Sequence, residues 1–155
     1  MSPEQVTDGL LDALKKPNGK QALRHYYAKI SRLDHQVLLS GLLGVFKTKS
    51  YTAHDWACAM LWTLAVPFTR DLSESLPDLL ENWDLSSEEL VFYLMDVIEK
   101  EEFDRVMDEL SQTWASTEDD HHKLKTIQYW RSISSESYVA QKESWKVKLA
   151  SITDR

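Results

Sequence analysis

Three observations predict an all-α domain. Four Gly and four Pro among 155 residues are too few for the tight turns of a many-stranded β fold. Apolar residues fall at helical core spacing, as at Leu23, Tyr26, Tyr27 and Ile30. Helix-start signals, a Ser, Thr or Asp followed three residues later by an acid or amide, punctuate the chain. A chain of this length supports one core, so residues 1–155 read as a single-domain bundle of about eight or nine short helices. Stacked helical hairpins are the alternative arrangement.

The elements follow in order. Ser2 and Gln5 form a capping box with Pro3 at the first helical position, opening a helix to about Leu14. Lys15-Lys16-Pro17-Asn18-Gly19 stops it, and Leu23, Tyr26, Tyr27 and Ile30 give a second helix from about Lys20 to Ile30 a core face. Asp34 can cap a third, running to about Lys47. That helix carries Gly41 and Gly44, each of which weakens a helix interior by about 1 kcal/mol against alanine, so a neighbouring helix is expected to approach closely there. Thr52 and Asp55 suggest a further capping box for a helix from Ala53 to Val66. This stretch is apolar around nearly its whole circumference (Trp56 to Leu61, Leu64) and is expected to be the buried centre.

Pro67 ends that helix, and short helices are expected from about Ser73 to Trp83, from Ser86 to Glu99 (capping box Ser86/Glu89) and from Glu101 to Trp114. Ser116 to Asp120 reads as a turn. Two last helices are expected, about Asp119 to Ile133 and Ser137 to Ile152, the final one docking through Tyr138, Trp145, Leu149 and Ile152. A shift of 52 residues superposes Leu38 on Leu90, Leu42 on Leu94 and Trp62 on Trp114. Any two amphipathic helix pairs of similar length would give the same match, and the period exceeds those of ordinary helical repeats.

Charge is distributed in three blocks. Asp71 to His122 holds seventeen acidic residues against Lys100 and Arg105, a formal charge of −15, whereas Met1 to Arg70 and Lys123 to Arg155 each carry +4. A net charge of −7 argues against a nonspecific nucleic-acid or anionic-membrane surface, since phosphates are met mainly by Lys and Arg. The single cysteine, Cys58, precludes an intrachain disulfide and agrees with a reducing compartment. Without a basic and apolar leader at Met1 to Gln5 and without an apolar run near ~20 residues, a cytoplasmic, monomeric protein is expected.

No reaction is specified. Glu118-Asp119-Asp120-His121-His122 has metal-binding side chains, but consecutive helical residues diverge by about 100°, so a charged helix start is the plainer reading and no metal or other cofactor is expected. Cys58 sits within the apolar helix, where a thiol is ordinarily a packing residue. His-Glu-x-x-His, Gly-x-Ser-x-Gly and the phosphate-binding glycine loops do not occur. The chain is therefore expected not to be an enzyme, with an enzyme of unknown type as a third reading.

The acidic helices carry a sharper signal. At about 100° per residue from Glu88, Glu99, Asp96 and Glu89 share one sector, and Phe92 lies among them, opposite a core face of Leu90, Val91, Leu94, Val97 and Ile98. An aromatic ringed by carboxylates has the form of a partner-binding anchor; the competing reading is that a neighbouring helix covers Phe92. In the next helix Glu101, Glu102, Asp104, Asp108 and Glu109 surround Arg105. Nearly uniform sign forfeits the opposite-sign pairs that stabilise a merely solvated helix. The expected function is a non-enzymatic acidic binding domain, most concretely an inhibitor or immunity-type antitoxin covering a basic, nuclease-like partner protein. Glu88, Glu89, Asp96, Glu99, Glu101, Glu102, Asp104, Asp108 and Glu109 would steer that partner, with Phe92 and Trp83 as anchors. The alternative is a helical-repeat adaptor holding a peptide or helix in an apolar groove.

Overall fold

The computed structural model describes residues 1–64, 100–113, 118–131 and 135–153. Among these residues there are seven α-helices and no strand: α1 Pro3–Lys15, α2 Gly19–Ile30, α3 His35–Gly44, α4 Tyr51–Thr63, α5 Lys100–Thr113, α6 Glu118–Arg131 and α7 Ser135–Thr153. A 3-10 turn, Val45–Lys47, follows α3. The all-α class is thus observed. The helices expected over 73–83 and 86–99 lie outside the described residues.

α1 starts as its sequence requires. The Ser2 hydroxyl accepts from the Gln5 backbone N–H at 3.2 Å, and the Ser2 N–H donates to the Gln5 side chain at 2.8 Å, so two otherwise orphaned donors are satisfied reciprocally. Val6, Leu10 and Ala13 then fall on one buried stripe. The glycines of α3 do what their cost implied. A Cβ on Gly41 would lie 2.4 Å from the Val6 Cβ and 2.9 Å from the Pro3 carbonyl oxygen, and one on Gly44 would meet the Thr7 hydroxyl at 2.7 Å. α1 lies directly against α3 through these hydrogens, and the Thr7 hydroxyl donates to the Gly41 carbonyl at 2.6 Å. α2 closes over the pair through Leu23, Tyr26 and Ile30, with the Tyr26 hydroxyl donating to the Val6 carbonyl at 2.6 Å.

Several boundaries differ from expectation; α4 ends at Thr63 rather than Val66, and α6 begins at Glu118, inside the stretch Ser116 to Asp120 expected as a turn. α3 ends at Gly44 rather than near Lys47, because the chain tightens into the 3-10 turn that places Val45 and Phe46 in the core. Thr48 then closes the turn with its N–H at 3.0 Å and its hydroxyl at 2.7 Å from the Val45 carbonyl. α4 begins after Ser50, not at a Thr52/Asp55 box. The Asp55 carboxylate is committed elsewhere: it accepts from the Trp145 indole N–H at 3.1 Å and pairs with the Lys148 ammonium of α7.

α4 is the centre of the core. Ala53, His54 and every residue from Trp56 to Leu61 are buried, as an all-round apolar helix must be. α7 lies along it through the buried Trp145, Leu149 and Ile152, and Trp145 stands 6.2 Å from Trp62 of α4. Tyr138, the fourth residue of the expected stripe, lies outside the described side chains. The end of α7 is held from α2 by the Arg24 guanidinium, whose Nε donates to the Ile152 carbonyl at 2.6 Å. α5 packs against α6, and Val106 and Leu124 bring these helices into the same core.

Candidate interaction surface

Trp83, Glu88, Glu89, Phe92, Asp96 and Glu99 lie outside the described residues. The other five residues expected to meet a partner, Glu101, Glu102, Asp104, Asp108 and Glu109, are all on α5. At about 100° per residue, the exposed residues Glu101, Arg105, Asp108, Glu109 and Gln112 occupy one sector roughly 100° wide. Glu102 and Asp104 flank it, half-buried, and Val106 points away into the core. Val106, about 60° round the helix from Glu109, is buried, so Glu101, Asp108 and Glu109 face outward, whereas Glu102 and Asp104 sit at the border and one Asp104 carboxylate oxygen is buried.

Within this face Arg105 is clamped. Its Nε and one terminal nitrogen meet both oxygens of Glu102, and the other terminal nitrogen meets Glu109 at 2.7 Å. The hydrogen bond to Glu102 and its charge, then the charge of Glu109, push the guanidinium further above its ordinary range. The cation is therefore permanent and positioned. It bridges one turn in each direction, which is the spacing at which helical side chains meet, and holds two of the five carboxylates in fixed rotamers. Arg105 answers Glu102 and Glu109, and the exposed Glu101 and Asp108 add negative charge beside them. Of the C-terminal cations, Lys148 pairs with Asp55 of α4 and lies 4.7 Å over the Trp56 ring.

A second feature was not signalled by the sequence. An open groove of about 670 Å³ runs between α4 and α7, lined by Trp62, Thr63, Val139, Lys142, Leu149 and Ala150 among others. Val139 and, about two turns along α7, Val147 are more than half exposed. Neither helix announces the groove in sequence, and only their crossing creates it.

Cys58 and His54 are packing residues, while the side chains of Asp119, Asp120 and His121 lie outside the described residues. Cys58 is fully buried within α4. His54, also fully buried, sets its Nε2 2.8 Å from the Thr48 carbonyl, which fixes the proton on that nitrogen, and its ring lies 4.8 Å from Phe46 and 5.7 Å from Tyr51. His54 joins the end of the 3-10 turn to the first turn of α4, a role invisible in a sequence where it is one of five histidines. Among the described residues no three His, Cys, Asp or Glu side chains stand together as a metal site, and no helix is long and apolar enough to cross a membrane. Compared with known proteins, the chain matches no family model, no curated protein and no solved structure.

Proposed function

We propose that this chain is a non-enzymatic binding domain whose acidic α5 face engages a positively charged protein. The observation that carries the reading is the angular sorting of α5: carboxylates on the exposed sector, Val106 inward, and a single arginine held by two of the acids. Like charges crowded on one helical face lower the stability of that helix, and a complementary partner removes the penalty. In its finer form the domain is an inhibitor or immunity-type antitoxin covering the basic active site of a nuclease-like protein. Glu88, Glu89, Asp96 and Glu99 would extend the acidic face, with Phe92 and Trp83 as anchors and further helices completing a bundle of eight or nine. Steering by such a face gives fast association that falls steeply with ionic strength.

The test is affinity capture from native extract at low and high salt, with the wild-type chain and Glu101→Lys/Asp108→Lys. Capture of a basic protein that is lost on charge reversal and weakened by salt supports the reading, and suppression of a nuclease activity in the captured protein supports its finer form. A captured set indifferent to both overturns it.

The α4–α7 groove favours a second reading, an adaptor that takes an apolar peptide or helix against Trp62, Val139, Leu149 and Ala150. Its affinity would vary little with salt, and Val139→Asp, not charge reversal on α5, would abolish capture.

A further inference from the structure

The segment from Lys15 to Leu33 contains Lys15, Lys16, Lys20, Arg24, Lys29 and Arg32 and no acidic residue. All six cations are exposed. Within α2, Lys20, Arg24, His25 and Lys29 spread over the outer half of the helix at about 100° per residue, while Leu23, Tyr26 and Ile30 fill the inner half. Unlike Arg105, these cations have no carboxylate to clamp them: Lys15, Lys16, Lys20, Lys29 and Arg32 form no ion pair among the described residues. Arg24 donates through Nε to the Ile152 carbonyl. Lys20 and Arg24 stand four residues apart, a spacing at which like charges repel. The strip carries no exposed large apolar side chain that would insert into a bilayer.

We infer that the α2 strip docks onto the acidic α5 face of a second copy of this chain. This rests on the reading of α5 as a face for a positively charged partner and supplies that partner as a basic strip on another copy. The complement is present on the molecule itself: exposed Glu101, Asp108 and Glu109, flanked by the half-buried Glu102 and Asp104 and carrying one arginine, against six exposed cations over Lys15 to Arg32. The two helices, 12 and 14 residues long, match within about 3 Å at 1.5 Å per residue. Each copy presents one face of each sign, so the contact is head-to-tail. The net charge of −7 opposes association at long range, but at a Debye length of about 10 Å that repulsion is screened while touching faces still attract. Association is therefore strongest near 0.1 M salt and lost near 1 M, values on the order at which the Debye length passes from about 10 to 3 Å.

Sedimentation equilibrium of the full chain reads this directly. At about 0.1 M salt the wild type is expected to exceed the 18.0 kDa monomer mass as concentration rises, and to return to it near 1 M. Lys20→Glu/Lys29→Glu/Arg32→Glu, which leaves Arg24 on Ile152, and Glu101→Lys/Asp108→Lys should each weaken self-association at least about tenfold. Mixed together they should associate again, because each then supplies the face the other lacks, a rescue that misfolded variants could not produce. A wild type that stays monomeric at every concentration, or a mixture that fails to associate, overturns the inference. The α2 variant keeps α5 intact, so its continued capture of a foreign basic protein would separate failure of self-docking from failure of the α5 reading.

Discussion

Gly41→Ala sets two effects of known sign against each other. Helix propensity alone favours alanine by about 1 kcal/mol. Against it, the new Cβ would sit 2.4 Å from the Val6 Cβ, 2.6 Å from Val6 Cγ1 and 2.9 Å from the Pro3 carbonyl oxygen. Ordinary contact begins near 3.4 Å, so α3 must withdraw from α1 by about 1 Å, and because one obstacle is backbone a rotamer change cannot absorb it. Overpacking of this kind costs about 1–3 kcal/mol, here toward the upper end. Withdrawal also stretches the 2.6 Å bond from the Thr7 hydroxyl to the Gly41 carbonyl, with a net value of about 1 kcal/mol. The balance is a loss of about 2 kcal/mol, or roughly 4–8 °C in Tm for a chain of this size. Urea titration followed by helical circular dichroism measures it, with Gly19→Ala as control, since a Cβ there meets nothing within 4 Å. A Gly41→Ala midpoint equal to or above the wild type would refute the close approach of α1 and α3.

Further expectations concern the clasp between α4 and α7, the first cap and alkaline stability. Asp55→Ala strands the buried Trp145 indole N–H and the Lys148 ammonium and should cost about 2–3 kcal/mol. Asp55→Asn keeps an acceptor for the indole and should cost less, and equal losses for the two in urea titrations would contradict the geometry. Ser2→Ala removes one half of the capping box and should cost about 1 kcal/mol, visible as a lower Tm. Burial holds the Tyr26 hydroxyl well above its ordinary value of 10.0. The unfolded chain therefore releases that proton first, and stability, whole below pH 10, falls above it by up to about 1.4 kcal/mol per pH unit. Tyr26→Phe should flatten this decline without abolishing it, because burial also raises Tyr27. An unchanged slope in stability measured from pH 9 to 11.5 would count against it.

Several features were legible because their cause lies within one or two turns of helix. The Ser2/Gln5 box, the all-round apolarity of Trp56 to Leu61 and the Trp145, Leu149, Ile152 stripe need only helical periodicity, and each appears where its spacing put it. Gly41 and Gly44 were informative for a different reason: a costly residue inside a helix implies a compensating contact, though not which helix supplies it. Periodicity also puts Glu101, Asp108 and Glu109 of α5 on a sector that excludes the buried Val106, and these three are exposed.

Composition and periodicity alone determined the helical class, the single strongly acidic middle block and the sides of α2 and α7 that turn inward. Tertiary structure decided how competing side chains were assigned. Thr52 and Asp55 have the spacing of a cap, yet the Asp55 carboxylate goes to Trp145 and Lys148, ninety or more residues away, since a carboxylate at the rim of the core gains more from an indole N–H and an ammonium it neutralises than from one backbone N–H. The groove between α4 and α7, the burial of His54 and the anchoring of Arg24 on the end of α7 belong to the same class. Each depends on which helices cross, and that is settled by packing the whole core at once.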